Sequence, residues 1–293
     1  MSDTRRLFFT KMEGTGNDYI YIDALGSPTS IDIGELSLHD LACKISNRHF
    51  GVGSDGLIVI LPSHYADFRM RIFNADGSEA QMCGNGSRCV AKYVHDKGFT
   101  DKTTLSLETV SGVKTLYLHI EDGKTKEVTV DMGKAILSRE DIPVLGQIDE
   151  MMVDFPVSVA GETFKLTAVG MGNPHGVVFV NDITDKHVQY YGRLLEVAEI
   201  WPHKANIEFV KVVDRTHLVM RVWERGSGET LSCGTGACAS VVASVMKGLT
   251  DSEVEVKLLG GKLFITYNRK SGHVYMRGGA NFIAEGTYYY NGI

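Results

Sequence analysis

Residues 70–86, MRIFNADGSEAQMCGNG, and residues 220–236, MRVWERGSGETLSCGTG, align without a gap at an offset of 150 positions. Six pairs are identical: Met70/Met220, Arg71/Arg221, Glu79/Glu229, Cys83/Cys233, Gly84/Gly234 and Gly86/Gly236. Average residue usage would give about one match by chance. Self-similarity at a fixed offset means that the chain carries two versions of one structural unit. A weaker echo extends it upstream, with Gly16-Asn17 before YIYI in one half and Gly172-Asn173 before VVFV in the other. After VTVDM, near Asp131, Gly, Pro and charged residues take over, and the boundary between the halves is placed there. The expected domains are residues 1–131 and residues 132–277.

The 293 residues are enough for two domains, and 43% hydrophobic content supplies a core for each. Thirty basic against 36 acidic residues give a formal charge of −6 with no basic stripe, which argues against a nucleic-acid partner. The longest apolar runs, 56–61 and 176–180, are far short of the ~18 residues that would span a bilayer, so no membrane role is expected. The start, MSDTRRLFFTKM, has neither the apolar stretch nor the cleavage site of a secretory signal. Five cysteines without CxxC spacing make no disulfide framework. The expected location is the cytoplasm.

Around the repeat, fourteen segments read as strands through β-branched and aromatic enrichment, from RLFFTKM at 6–12 to HVYMRG at 273–278. Four segments show helical spacing, Ser37–Asn47, Gly86–Lys97, Val188–Glu199 and Gly236–Lys247. Many short strands with few helices, not strictly alternating, predict an α+β fold.

Each repeat runs from a strand through a polar turn to Cys-Gly-x-Gly and directly into a helix, which places Cys83 and Cys233 at helix N-termini. The unsatisfied N–H groups there favour a thiolate and predict a thiol pKa below the free value of about 8.5. The same N–H groups, opened by glycine, can hold a carboxylate. Two such ends across a cleft would offer two thiols to one small anionic substrate. One thiolate could remove an α-proton and the opposite thiol return one from the other face, which is what inversion of an amino-acid α-carbon requires. No dinucleotide, Walker or HExxH motif is found, although the residues alone leave a lysine-bound pyridoxal phosphate open.

MEGTGNDYIYID, NRHFGVGSDGL, FNADGSEAQMCGNGSRC, GMGNPHGVVFV, ANIEFV and ERGSGETLSCGTGACA, in this order from about Phe9 to Ser240, resemble the motif set of the diaminopimelate epimerases, pyridoxal-independent enzymes of lysine synthesis. The resemblance implies two pseudo-symmetric domains, each a mixed sheet curled around a central helix, with residues 278–293 returning to the first domain and the active site in the interdomain cleft. It implies Cys83 and Cys233 as the acid–base pair, supported by His175 and Glu224. It also implies substrate contacts at Asn17, Asn74, Asn173, Asn206 and Arg225, and amide cradles at Gly84-Asn85 and Gly234-Thr235. The implied substrate is diaminopimelate, with no cofactor, no metal and a homodimeric assembly. One departure is Gly56 after Asp55, where some relatives carry glutamine; a side-chain contact there is lost or made by backbone. Ala205 stands where threonine is frequent.

Blander readings compete at several positions. Cys43, Cys89 and Cys238 read as packing thiols. Cys83/Cys89 and Cys233/Cys238 diverge by about 120° and 140° around their helices, which rejects zinc. His175 could be a structural histidine, Glu224 a surface partner of Arg225 or Arg221, and Asn17 and Asn173 turn formers. A racemase of another amino acid would keep both cysteines without needing a far-end polar set around Arg225. A thiol redox module would use the two as a disulfide couple.

Overall fold

The structure is a computed structural model that describes residues 4–34, 36–146 and 151–291. The outermost positions of the expected first domain, 1–3 and 292–293, lie outside the described residues, as do 35 and 147–150. The chain divides into two compact units, Met1–Val130 with Gly278–Ile293, and Asp131–Arg277.

In the first unit the strands are β1 (Thr4–Gly14), β2 (Asn17–Asp23), β3 (Gly56–Leu61), β4 (Phe68–Asn74), the two-residue β5 (Glu79–Ala80), β6 (Thr104–Thr109), β7 (Gly112–Glu121) and β8 (Lys124–Lys134). Most neighbours are antiparallel, but β2 lies parallel to β3 and β4 parallel to β6. A parallel pair needs a long crossover, and each is supplied by a helix, α1 (Leu38–Ser46) for the first and α2 (Gly84–Asp96) for the second. β3 reads GLIVIL with no alternation because both its faces are covered. Leu57 and Val59 pack with Leu41, Ala42 and Ile45 of α1. The adjacent Ile58 reaches Gly86 of α2 on the opposite face. Since α2 touches β1 and β2 as well as β7 far along the ladder, the sheet must curl around it.

The second unit repeats this plan with β9 (Phe155–Val159), β10 (Glu162–Gly170), β11 (Pro174–Phe179), β12 (Asn206–Asp214), β13 (His217–Glu224), β14 (Gly228–Glu229), β15 (Glu253–Leu258), β16 (Gly261–Tyr267) and β17 (His273–Gly279). The parallel pairs are β11 with β12 and β13 with β15. The second pair is bridged by α4 (Gly234–Met246), whose sequence of small and apolar residues is buried nearly all round. Its buried Ser240 and Ser244 donate to their own helix carbonyls, Gly236 O at 2.8 Å and Val241 O at 2.9 Å, so no hydroxyl is stranded. The first pair is bridged where a helix was expected over Val188–Glu199. The observed segment is π-helical over Lys186–Gly192 and α-helical only over α3, Arg193–Glu196. Gly192 comes so close to Trp223 that a Cβ there would lie 2.8 Å from the Trp223 Cβ.

β18 (Asn281–Asn291) belongs to the first unit, pairing antiparallel with β1. Arg88 of α2, fully buried, donates to Gly279 O at 3.1 Å, Thr15 Oγ1 at 2.9 Å and Asn85 Oδ1 at 2.9 Å, tying the returning chain to the helix. β9 and β18 escaped the strand reading, as did the two-residue β5 and β14; along β18 only Tyr290 is buried, so no alternation marks it.

The repeated residues now have separate explanations. Met70 and Met220 are core residues. Arg71 pairs with Glu79, and Arg221 with Glu229, each across a short antiparallel contact that shapes the turn before the cysteine. Gly56 is fixed by close approach: a Cβ would stand 2.1 Å from Phe73 O and 2.9 Å from a Tyr19 ring carbon. Gly56→Ala is therefore expected to destabilise the protein by about 2 kcal/mol or more. Denaturant unfolding checks this, and a loss below ~0.5 kcal/mol would show that β3 and β4 have room to spare.

Candidate active site

In the first unit the turn after β5 delivers Cys83 in an extended conformation as the N-cap of α2. Its sulfur accepts the Gly86 N–H at 3.3 Å and donates to Asn17 Oδ1 at 3.4 Å. The Asn17 carboxamide is oriented by Asp55, whose Oδ2 accepts from Asn17 Nδ2 at 2.7 Å while its Oδ1 pairs with Arg48 at 2.9 Å. Asp55 of the GxGxD motif thus acts on the thiol at one remove. Gly86 leaves room for Ile58, since a Cβ there would lie 2.6 Å from the Ile58 Cδ1 and force that side chain to shift. Asn85 is buried with its side chain turned inward to Arg88, so any role toward a ligand falls to its backbone. Asn74 closes its own turn, with Nδ2 donating to Ser78 Oγ at 3.0 Å. Tyr19, not singled out from sequence, faces the Cys83 sulfur, and burial followed by that thiol raises its phenol well above the ordinary value.

The second unit gathers more of the expected residues. Cys233 caps α4, its sulfur accepting the Gly236 N–H at 3.4 Å and lying 3.5 Å from Thr235 Oγ1. Glu224, at the end of β13, accepts from the Thr230 hydroxyl and meets Cys233. Glu224 pairs with neither Arg221, which is held by Glu229 and Asp185, nor Arg225. His175, on β11, is fully buried, with Nε2 2.9 Å from Asn173 Oδ1. Asn206 donates through Nδ2 to Pro174 O at 3.0 Å and accepts the Arg225 N–H at 2.9 Å, so it pins the GNPH turn to the chain after Glu224. The Arg225 guanidinium is exposed, and Nη1 donates to His203 O at 3.3 Å.

One residue of this cluster was missed. Glu208, on β12 directly across from the β11 strand, accepts from His175 Nδ1 at 2.7 Å with both side chains fully buried. Its signal was an acidic residue inside the otherwise apolar run of ANIEFV, where every residue from Asn206 to Val210 is buried. A carboxylate in such a strand needs a partner.

The expected fall in thiol pKa is not what the structure gives. Burial pushes Cys83 up, against the downward pull of the Gly86 N–H and the Arg88 charge. Burial pushes Cys233 well above its ordinary value, and the carboxylates of Glu224 and Glu208 add to the rise. Burial also raises Glu224, opposed by Thr230, His175 and Cys233. A helix terminus offers a partial charge, which is too little to offset desolvation of the sulfur. Among the described residues no set of three His, Cys, Asp or Glu is arranged to hold a metal ion.

A family model described as diaminopimelate epimerase matches residues 9–138 and 167–283. A diaminopimelate epimerase of Methanococcus maripaludis is 49% identical over 95% of this chain and 98% of its own length. One of Desulfovibrio desulfuricans is 50% identical over 97% and 98%. Among solved structures, a hydroxyproline epimerase from Agrobacterium vitis superposes with a TM-score of 0.72 at 14% identity, covering 100% of this chain and 95% of its own. A phenazine biosynthesis protein of Bacillus anthracis superposes with a TM-score of 0.68 at 17% identity, covering 97% and 99%. The fold is that of the two-unit α+β isomerases. The chain belongs to the diaminopimelate epimerase family.

Because both thiols are raised, their thiolate fractions at neutral pH are smaller than that of a free cysteine and grow only as pH climbs into the alkaline range. Alkylation of Cys83 and Cys233, followed by peptide mass mapping, is expected to quicken about tenfold per pH unit through that range. A rate already level at pH ~7 would show that the helix termini prevail over burial.

Proposed function

We propose that this chain interconverts LL- and meso-2,6-diaminopimelate by a two-thiol mechanism in which every proton carrier is a side chain of the protein. The observation that carries the reading is the repeated one: in each unit a cysteine sulfur caps the N-terminus of a largely buried helix whose first turn carries glycines. In this reading residues 1–131 with 278–293 form one domain and residues 132–277 a second, each supplying one thiol. The relatives at about half identity are diaminopimelate epimerases, which supports the substrate.

A neutral thiol is a poor base, and the raised Glu224 carboxyl in contact with Cys233 offers an outlet for its proton. Passing a proton from Cys233 to Glu224 leaves a thiolate and a neutral acid with no net change in buried charge. In the LL-to-meso direction the Cys233 thiolate takes the α-proton and Cys83 returns one to the opposite face, its thiol already protonated and aimed by Asn17. The electron pair left on the α-carbon spreads into the substrate carboxylate. The N–H groups at the starts of α2 and α4 stabilise that charge without reorganising. The chemistry as drawn needs no pyridoxal phosphate and no metal, which predicts activity in chelator and no imine absorbance. Asn74, Asn173, Asn206 and Arg225 hold the second amino-acid head. Among the described residues one carbonyl contact restrains the exposed Arg225 guanidinium, which leaves it able to turn toward a carboxylate. We further read the protein as cytoplasmic and homodimeric, with exposed Phe8 of β1 and Ile283 and Tyr289 of β18 as the surface for a second copy.

Incubation of LL-diaminopimelate in deuterated water, with chiral separation and mass analysis, tests the reaction. The native protein should form the meso isomer with one deuterium at the inverted carbon, and Cys83→Ala or Cys233→Ala should form none, since one face then lacks its proton carrier. Near-normal turnover in either variant would end the two-thiol reading. Arg225→Met should lower kcat/KM for diaminopimelate by about a hundredfold, from ~3 kcal/mol of lost charged hydrogen bonding. If lysine or histidine is inverted as readily as diaminopimelate, the far-end set does not select the substrate and a broader racemase replaces this assignment.

A further inference from the structure

The buried cluster around Cys233 contains one acidic group with no part in the proton path just described. Glu208 Oε1 accepts from His175 Nδ1 at 2.7 Å, and neither side chain has any exposed surface. Its other oxygen, Oε2, is buried without a hydrogen-bond partner among the described residues. Unpaired buried carboxylate oxygens are costly and call for an explanation. Gly236 supplies the location: a Cβ built there would lie 2.7 Å from Glu208 Oε1 and 3.3 Å from the Cys233 sulfur. The space that any other residue would fill at the third position of α4 is thus occupied by the Glu208 carboxylate on one side and the thiol on the other.

We propose that Glu208 is a positioning residue for Cys233, which fixes the His175 ring through Nδ1 and uses its buried carboxylate, seated over Gly236, to govern when the thiol gives up its proton. The proposal deepens the two-thiol reading and rests on it for its role in turnover. The groups acting on the sulfur are Glu208 from β12, Glu224 from β13, and Thr235 with the Gly236 N–H from α4, while His175 from β11 acts on the two carboxylates. Two carboxylates thus face one thiol, with one imidazole beside them. With the Glu208 carboxylate held against His175 beside them, ionisation of both Glu224 and the sulfur together is opposed, so one proton stays shared between Glu224 and Cys233. That is the arrangement in which a small displacement of the proton, without any net charging of the interior, makes the base. Both charged partners also raise the thiol in the same direction.

The test is Glu208→Gln, which keeps size and removes charge, with Glu208→Asp as its partner, which keeps charge and withdraws it from His175. In the whole protein, the pH midpoint of Cys233 alkylation, read by peptide mass mapping, should fall by about one unit in Glu208→Gln, because removing an adjacent negative charge favours the thiolate. In Glu208→Asp it should stay within ~0.3 unit of native. For epimerisation, kcat should fall about tenfold or more in Glu208→Gln with KM changed less than about threefold, and the acid limb of the kcat/KM profile should move to lower pH. An unmoved Cys233 midpoint in Glu208→Gln with a cooperative unfolding transition overturns the inference. If Glu208→Gln does not fold, Glu208→Asp decides it: a native midpoint with reduced kcat supports the role, and a midpoint shifted by a unit overturns it. A parent protein that fails to epimerise diaminopimelate, yet shows the midpoint shift, overturns the functional reading and leaves the role of Glu208 beside Cys233 standing.

Discussion

Each unit depends on a sulfur that does a backbone's work. A helix begins with N–H groups that have no partner of their own, and when the helix is buried these must be met by something other than water. At α2 and at α4 the cap is a cysteine, accepting from the glycine three residues on at 3.3 Å and 3.4 Å. Ser, Thr, Asn and Asp are the residues that cap best, worth about 1 kcal/mol over alanine. A thiol is a weaker acceptor, and finding it twice at the same place means that stability was not the criterion. The cap fixes each sulfur in space, and the curl of the sheet around the helix removes water from it.

That burial is why the electrostatics run opposite to simple expectation. A helix terminus and a few N–H groups act over one turn, whereas desolvation acts on the whole thiolate charge. The sulfurs are therefore held as acids, and a base must be made when it is needed. A raised carboxyl in contact with a raised thiol is suited to this, since the proton moves between two groups that both resist ionisation.

The parts of this arrangement legible in sequence were those with a local signature. The repeat, three of the four helical stretches and most strands follow from residue spacing, and the Cys-Gly-x-Gly turn announces a helix start because glycine is poorly tolerated elsewhere in a helix. What was hidden depended on contacts between distant residues. Glu208 lies within ANIEFV, but its meaning comes from the parallel pairing of β11 and β12 that sets His175 opposite Asn206. Tyr19 looks like a core aromatic until β2 is seen to bring it to Cys83. Arg71/Glu79 and Arg221/Glu229 showed the reverse, repeated residues that shape the turn and carry no chemistry. β18 was invisible because its side chains are mostly exposed and only its pairing with β1 makes it a strand.

The two units share a fold but not an electrostatic environment. Around Cys83 stand a neutral amide, a phenol and, beyond them, the buried Arg88, whose own proton affinity burial lowers. Around Cys233 stand two carboxylates, with an imidazole acting on both of them. A duplicated helix cap accounts for what is common, namely a sulfur fixed at an N-terminus, and leaves the neighbours at β2, β11, β12 and β13 to diverge. Divergence has gone in a definite direction. The first sulfur meets an amide oxygen and a phenol, neither of them an acid at neutral pH, which suits the proposed role of a group that waits as a thiol. The second has acidic neighbours able to exchange a proton, which suits the proposed role of a group that becomes a thiolate. The proposed two-thiol reaction needs both states present together, and a pair of identical caps would have to break its own symmetry to provide them. Here the asymmetry is built into the residues that flank each cap.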